Sequence, residues 1–195
     1  MKQVRIFAGS ASLELAGRIA AAYGQPLGDL TLQRFADTEL GPSFNESVRG
    51  CEVFLIQSTY PPAENLMELM LMVDAAKRAS AHKVNLVMPY MGYARQDRKD
   101  KPRVSIGAKV VANIIQSVGT DRLMACELHA GQIQGFFDIP VDNIYASPVL
   151  LGDLRLKNYE DLIVVSPDVG GVVRARALAK QLNTDLAIID KRRPK

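Results

Sequence analysis

The sequence predicts an α/β protein in which parallel sheets are flanked by helices. Short apolar runs alternate with longer segments whose apolar residues recur at helical spacing. Repeated strand–helix–strand units of this kind favour a parallel sheet that is covered on both faces. The composition, 48% hydrophobic and 23% charged, is typical of a globular protein.

The first half of the chain contains the clearest periodic patterns. Residues 4–8 are predicted as a strand, and residues 13–23 as a helix for which Ser12 is a candidate N-cap. The longest helix is predicted over residues 64–81, because its apolar side chains fall near one face. Further strands are predicted over residues 31–35, 53–57 and 84–89, and turns at Gly41-Pro42 and Arg49-Gly50.

The second half begins with a polar loop over residues 90–103. Ser105 is a candidate cap for a helix that runs to Ser117. Strands are then predicted over 122–128, 162–166 and 186–190, with helical segments over 132–137, 149–156 and 170–182. A boundary near residues 145–148 is expected to separate a domain of residues 1–146 from a second of residues 147–195.

Positive charge is concentrated in two short segments. Residues 95–103 contain five basic and two acidic side chains, and residues 191–195 contain four basic ones, whereas the whole chain has a net charge of only +3. A nucleic-acid-binding protein is expected to spread Lys and Arg along a helix or stripe. The pattern therefore favours a local anionic ligand and no nucleic-acid partner. Solvated charged loops remain the alternative.

The chain is expected to be cytoplasmic. Its two cysteines, Cys51 and Cys126, cannot form a disulfide framework, which fits a reducing compartment. The first residues lack the apolar core of a secretory signal. No stretch reaches the roughly 18 apolar residues of a membrane helix, so no membrane partner is expected.

Ligands of parallel α/β sheets bind beyond the carboxyl ends of the strands, so the loops that leave those ends are the candidate sites. The sequence contains neither a P-loop nor a dinucleotide-binding glycine motif. Any nucleotide phosphates must therefore be held by side chains. Arg95 and its basic neighbours are suited to this, because guanidinium groups pair bidentately with phosphate oxygens.

Three further loops contain candidate chemistry. Glu127 and His129 are alternate residues at a predicted strand end, so they can face one cavity as a metal corner, with Asp138 and Asp142 nearby in sequence. A hydrogen-bonded structural histidine is the alternative. Asp168 precedes two glycines and a helix N-terminus; it can face an anion site, bind a metal or sugar hydroxyl, or simply cap the helix.

The fourth segment is the basic stretch that begins at Lys191, after the last predicted strand. A lysine and an arginine there can stabilise the charge on a transferring phosphoryl group.

Taken together, these segments resemble the ribose-phosphate pyrophosphokinases, also called phosphoribosyl pyrophosphate synthetases. The most specific matches are YARQDRK at residues 93–99, LHAGQIQGFFDIPVD at 128–142 and VSPDVGG at 165–171, and the likeness covers the chain in order. The resemblance implies two phosphoribosyltransferase-like, Rossmann-like domains, of which the second is incomplete here. It also implies transfer of the β,γ-diphosphoryl group of MgATP to the 1-hydroxyl of ribose 5-phosphate.

The resemblance assigns roles to individual residues. ATP contacts are implied for Phe35, Asp37, Glu39, Arg95 and Gln96, with the ATP site shared across subunits of a homo-oligomer that is typically a hexamer. Magnesium contacts are implied for His129 and Asp168, with Glu127 as a further candidate. Lys191 and Arg193 match the catalytic cations, and Arg193 and Asp168 match residues near ribose 5-phosphate.

Two departures from the family pattern stand out. Glu127 replaces the usual Asp, which lengthens that side chain by one methylene. The family's acidic Asp-Asp-x-x-Asp-Thr segment does not occur within the 195 residues. We therefore expect a longer polypeptide and an inactive 195-residue form. The alternatives are a non-catalytic regulatory homologue that assembles with active subunits, and a phosphoribosyltransferase-like enzyme that uses the same product.

Overall fold

The computed structural model describes residues 2–191, in two units that comprise residues 1–144 and 145–195. Each unit is described below by itself. Among the described residues, every helix is too short or too polar to span a bilayer.

The first unit is built around a five-stranded parallel sheet. In chain order its elements are β1 (Val4–Ala8), α1 (Leu13–Tyr23), β2 (Leu30–Arg34), β3 (Leu40–Phe44), β4 (Glu52–Ile56), α2 (Glu64–Arg78), β5 (Lys83–Met88), α3 (Gly107–Ser117), β6 (Arg122–Cys126) and β7 (Val141–Ile144). The sheet has the order β1-β4-β5-β6-β7, and β2 and β3 form a separate antiparallel hairpin. All five sheet strands are parallel, so their carboxyl ends meet at one edge.

The core of this unit lies between the sheet and its helices. Leu55 of β4 and Leu86 of β5 are fully buried and belong to one apolar cluster with side chains of α2 and α3. A smaller cluster joins Ala16 and Ala20 of α1 to residues of β1 and β4. Because packed helices cover the sheet, the strand ends are held in place. The loops that leave the carboxyl edge therefore begin at fixed positions.

The second unit contains α4 (Ser147–Lys157), β8 (Ile163–Ser166), α5 (Val172–Leu182) and β9 (Asp185–Ile188). β8 and β9 pair in parallel, with Ile163 opposite Asp185 and Ser166 opposite Ile188. A 3-10 turn, Val169–Gly171, joins β8 to α5. The connection β8–α5–β9 is therefore a strand–helix–strand unit of the kind that the sequence predicted.

The α/β class with parallel, helix-flanked sheets is confirmed, but in the first unit one predicted turn is wrong and one strand was not predicted. Gly41 and Pro42 lie inside β3 and do not form a turn. Proline is tolerated there because β3 belongs to a two-stranded hairpin and has a free edge. β7 was not predicted, since its sequence Val-Asp-Asn-Ile is short and polar and gives little strand signal.

Neither predicted serine cap makes a capping hydrogen bond, although Ser12 does occupy the predicted position. Ser12 occupies the N-cap position of α1, but its hydroxyl accepts a hydrogen bond from the backbone N–H of Ser58 at 2.8 Å. The Ser105 hydroxyl donates to Gln96 Oε1 at 3.4 Å, and α3 begins only at Gly107. In both cases a group outside the helix, 46 residues away for Ser12 and nine for Ser105, replaces the helix backbone as the serine's partner.

Candidate functional site

Two adjoining cavities open at the carboxyl edge of the sheet, where loops leave the neighbouring strands β5 and β6. The larger has a volume of about 530 Å³ and is lined by Arg95, Gln96, Asp97, Arg98, Asp100, Val104, Ser105 and His129. The smaller, of about 170 Å³, is lined by Tyr90, Met91, Ala94, Arg95, Cys126, Glu127, Leu128 and His129. Arg95 and His129 line both, so the structure brings these two predicted site residues together with Gln96 and Glu127.

The loop that carries Arg95 is anchored to the end of β4. The backbone N–H of Thr59 donates to the Tyr90 carbonyl at 2.9 Å, and the N–H of Gly92 donates to Thr59 Oγ1 at 2.9 Å. Thr59 is buried, with 2% of its surface exposed. A Cβ atom on Gly92 would lie only 2.1 Å from the Thr59 carbonyl oxygen, so only glycine fits here. Thr59 was not singled out from the sequence, because no local motif marks it.

Gln96 is held against the start of α3. The N–H of Ala108 donates to the Gln96 carbonyl at 3.1 Å. The side-chain oxygen of Gln96 packs so closely on Gly107 that a Cβ atom there would lie 2.5 Å from it. A second tie runs from Gln132, whose amide donates to Asp97 Oδ2 at 2.6 Å. The basic segment is therefore an ordered loop with contacts to both α3 and the segment after β6. These contacts order the backbone of the loop, whereas its five basic side chains are exposed, so the solvated interpretation of the charges stays an alternative.

Glu127 and His129 share a cavity for a different reason from the one predicted. β6 ends at Cys126, and Glu127 has a left-handed φ of 49°, so strand alternation does not apply to it. The segment is held instead by the β7 end: the Glu127 N–H donates to the Ile144 carbonyl at 2.9 Å, and the Leu128 N–H to Asn143 Oδ1 at 3.1 Å. His129 is exposed, and the ligand and the hydrogen-bonded structural histidine both stay predictions.

Asp142 does not belong to this site. It is the second residue of β7 and lies towards the opposite, amino-terminal edge of the sheet. Arg122 donates two hydrogen bonds to its carboxylate, at 2.6 and 2.9 Å. These bonds hold the pKa of Asp142 below its usual value. The interpretation of Asp142 as a nearby metal ligand is therefore wrong.

The cavities provide a carboxylate for Mg²⁺ but no complete set of protein ligands. Within residues 2–191, no group of three or more His, Cys, Asp or Glu side chains is arranged to hold a metal ion. Mg²⁺ is commonly bound through one or two carboxylates, with water and substrate phosphates as its other ligands. Glu127 lines the same cavity as His129 and has such a carboxylate, so Glu127 fits a magnesium ion that arrives with a nucleotide, whereas an imidazole suits zinc, copper, iron or nickel better.

Phe35, Asp37 and Glu39 lie together in the turn of the β2–β3 hairpin. The Phe35 N–H donates to the Glu39 carbonyl at 2.9 Å, and the Glu39 N–H donates to Asp37 Oδ1 at 3.3 Å. The Phe35 ring lies over Gly41, where a Cβ would be 3.0 Å from it, and about half of Phe35 (48%) is exposed. An exposed ring beside two carboxylates can stack on a planar base and bind its polar edge.

In the second unit, Asp168 caps the turn before α5. Its Oδ1 accepts a hydrogen bond from the Gly171 N–H at 3.0 Å, and its carbonyl accepts one from the Ser166 hydroxyl at 2.8 Å. The capping interpretation is confirmed, and a role at ribose or metal stays a prediction. Lys191 is exposed after β9, and Arg193 lies outside the described residues.

Residues 4–119 match the family model described as the N-terminal domain of ribose phosphate pyrophosphokinase. A ribose-phosphate pyrophosphokinase of Burkholderia pseudomallei is 62% identical over 192 residues, which are 97% of this chain and 60% of that protein. One from Chlorobaculum tepidum is 55% identical over 193 residues, 98% of this chain and 60% of the relative. This chain thus spans about three fifths of the length of these relatives.

A solved structure is similar as well. The crystal structure of phosphoribosylpyrophosphate synthetase from Mycobacterium smegmatis superposes with a TM-score of 0.93 at 42% sequence identity. The match covers 99% of this chain and 66% of that one.

Proposed function

Because this chain belongs to the ribose-phosphate pyrophosphokinase family, we propose that it serves the transfer of the β,γ-diphosphoryl group of MgATP to the 1-hydroxyl of ribose 5-phosphate. The products are phosphoribosyl pyrophosphate, a precursor for nucleotide biosynthesis, and AMP. The observation that carries the proposal is the convergence of Arg95, Gln96 and His129 on one cavity at the carboxyl edge of the sheet.

In this proposal, two separate parts of the first unit bind ATP. Arg95 and Gln96 bind the phosphate end, since a guanidinium fork matches the geometry of phosphate oxygens. Phe35 stacks on the adenine, and Asp37 and Glu39 contact its polar edge. Each protomer's hairpin serves the site of a neighbour in a homo-oligomer, for which we propose a hexamer. The exposure of Phe35 supports a site that is completed by another surface.

His129 is proposed to contact magnesium in the first unit, with Glu127 as a further candidate. In the second unit, Asp168 is proposed to contact magnesium and the ribose. When bound, Mg²⁺ neutralises charge on the phosphate oxygens of the nucleotide. Asp168 keeps its position through the hydrogen bond to Gly171. A Cβ at position 171 would lie 2.9 Å from the Ser166 hydroxyl, so a larger residue there would displace that hydroxyl or the turn.

Lys191 and Arg193 are the proposed catalytic cations. Transfer of a diphosphoryl group to a hydroxyl needs charge stabilisation and alignment more than covalent chemistry, so cations that act in the transition state raise the rate. The 1-hydroxyl of the sugar must be held in line with the leaving AMP oxygen. Water must be excluded, because ATP would otherwise be hydrolysed. We place the reaction in the cytoplasm, in keeping with the free thiols of Cys51 and Cys126.

The test is whether the full-length protein releases AMP from MgATP only when ribose 5-phosphate is present. We expect AMP and phosphoribosyl pyrophosphate in equal amounts, measured by ³¹P NMR and anion-exchange chromatography. Lys191→Ala should lower turnover by orders of magnitude and change ATP affinity little, because the lysine acts in the transition state. Lys180→Ala, at an exposed lysine of α5, is the matched control and should leave turnover unchanged.

Two results would contradict the proposal. ATP binding without ribose-dependent AMP would favour a non-catalytic homologue that assembles with active subunits. Equal loss of turnover and ATP affinity in Lys191→Ala would contradict a role confined to the transition state.

A further inference from the structure

The turn that carries Phe35, Asp37 and Glu39 is tied to helix α2 by a single guanidinium group. Arg34 Nη1 donates to Glu64 Oε1 at 2.6 Å and to the Thr38 carbonyl oxygen at 3.1 Å. Glu64 is the first residue of α2, which also packs against the hairpin strand β3. One side chain therefore joins the centre of the turn to a helix of the core.

The turn needs such an external contact because its backbone is strained. Thr38 has a φ of 76°, in the left-handed region that a β-branched residue rarely adopts. Within the turn, the Thr38 N–H donates to the Phe35 carbonyl at 2.9 Å. The bond from Arg34 to the Thr38 carbonyl stabilises the next peptide unit, on the other side of the strained Thr38 Cα. Without it, the turn has less to hold it in this conformation.

Displacement of the turn would move the residues proposed to contact adenine. Phe35 follows Arg34 directly, and its ring rests on Gly41 of the next strand. Glu39 is linked back to Phe35 by a backbone hydrogen bond of 2.9 Å, so the three proposed contact residues move together.

The Arg34–Glu64 pair is charged across the neutral range and mostly local in its effect. The hydrogen bond from Arg34 lowers the pKa of the Glu64 carboxyl, and the same bond raises the pKa of Arg34. Both side chains are more than a third exposed, at 51% and 39%. Exposed ion pairs contribute little to global stability. Loss of this ion pair should therefore change the conformation of the turn and have little effect on the free energy of unfolding.

From these contacts we propose that Arg34 is a positioning residue that determines how tightly the hairpin binds the base of a nucleotide. The inference rests on the proposed function of the hairpin and deepens it. Arg34 does not touch the base; it holds the turn so that Phe35, Asp37 and Glu39 meet the base together. Glu64 orients the Arg34 guanidinium group and so contributes to the position of the turn.

The test compares two probes, MgATP and magnesium tripolyphosphate, which share a phosphate chain but differ in the nucleoside. Binding to the full-length protein is measured by isothermal titration calorimetry. Arg34→Met should weaken ATP binding by about tenfold, within the range for losing base–aromatic stacking, and leave tripolyphosphate binding within twofold. Glu64→Gln should act in the same direction with a smaller loss. Neither variant should move the Tm by more than a few degrees.

Arg18→Met is the matched control. It breaks an exposed pair of equal length, Arg18–Glu14 at 2.6 Å on α1, that does not involve the hairpin. It should change the affinity for neither probe. Phe35→Ala provides the reference for full loss of the stacking contact.

The outcomes separate this inference from the function on which it rests. Wild-type ATP affinity in both Arg34→Met and Glu64→Gln, with loss in Phe35→Ala, would overturn the positioning role and leave the proposed function intact. Equal weakening of both probes in Arg34→Met would also overturn it, because general damage would then be the cause. No loss in Phe35→Ala would show that the hairpin does not bind the base, and the proposed function of the turn would fail with it.

Discussion

Gly92 lies where the loop that carries Arg95 passes the buried end of β4. The Thr59 carbonyl oxygen occupies the space that any side chain at this position would need. The Gly92 N–H also donates to the Thr59 hydroxyl, so the approach is both close and directional. Glycine at position 92 therefore allows the close contact with Thr59 that positions the loop of Arg95, the candidate for phosphate binding.

We expect Gly92→Ala to destabilise the protein by about 1–3 kcal/mol, the cost of overpacking a buried site. It should also weaken tripolyphosphate binding, because the loop must move to relieve the 2.1 Å contact. Urea unfolding and calorimetry measure the two effects. Gly17→Ala is the control, since a Cβ at this position within α1 meets nothing within 4 Å. It should stabilise by about 0.5–1 kcal/mol, as Ala does relative to Gly in a helix. Unchanged stability and binding in Gly92→Ala would contradict the close approach.

Helix α2 is joined to the end of β1 by a buried carboxylate. Glu68 has only 1% of its surface exposed and accepts hydrogen bonds from the backbone N–H and the hydroxyl of Ser10, at 2.6 and 2.5 Å. Beside it, the buried amide of Gln57 accepts from the Ala11 N–H at 3.0 Å. These bonds give the backbone N–H groups of Ser10 and Ala11, which follow β1, hydrogen-bond partners. The backbone at this end of the strand is therefore ordered although it lies against the packed interior.

A double-mutant cycle should show strong coupling between Glu68 and Ser10. Ser10→Ala leaves an oxygen of the buried Glu68 carboxylate without its hydroxyl donor, and Glu68→Gln replaces a charged acceptor by a neutral amide. Each is expected to cost about 1–3 kcal/mol. The coupling energy should be about 0.5–3 kcal/mol, as for residues within one hydrogen-bond network. Asp74→Asn, on the same helix but exposed, should be additive with Ser10→Ala. Additive effects of the Glu68 and Ser10 variants on the free energy of urea unfolding would contradict this interaction.

The elements themselves could be predicted from the sequence where the local pattern is strong. β1 and α1 have the predicted bounds, and α2 ends three residues before the predicted end. β3 and β7 could not be predicted in the same way. β3 pairs despite Gly41 and Pro42 because its partner β2 lies across a short turn, and β7 pairs because β6 offers a free edge. Such pairing depends on a neighbour, not on the strand's own residues.

At the scale of the whole molecule, the two units differ in how much apolar surface they bury. In the second unit, Val149, Leu156 and Val173 are each more than three quarters exposed. Leu151 and Ala179 are the buried apolar residues in its described part. Its sheet has two strands, and a two-stranded sheet is marginal without further packing. The first unit contains the continuous apolar core.

We therefore expect residues 1–144, expressed alone, to unfold in a single cooperative transition when followed by circular dichroism. Residues 145–195, expressed alone, should show no cooperative transition, because too little apolar surface is buried to offset the entropy of ordering the chain. A sigmoidal transition in the smaller fragment, or its absence in the larger one, would contradict this difference between the units.

The sequence predicted that candidate residues would gather at the carboxyl edge of the sheet, but not the contacts that hold their loops there. The predicted contacts Arg95, Gln96, Glu127 and His129 do line adjoining cavities, and Phe35, Asp37 and Glu39 do share a turn. Asp142 was misplaced because nearness in sequence does not show at which edge of the sheet a side chain lies. Thr59 and Arg34 were missed, because their partners Gly92 and Glu64 are about thirty residues away.

The amino-acid order alone determined the α/β class, the longer helices and the family, because periodicity and contiguous motifs such as residues 128–142 are properties of the chain itself. The tertiary structure decided which loops share a cavity, where β7 pairs, and which residues hold the binding loops in place. Those features depend on contacts between segments that only folding brings together, and a hydrogen bond such as that from Arg34 to Glu64 leaves no local trace in the sequence.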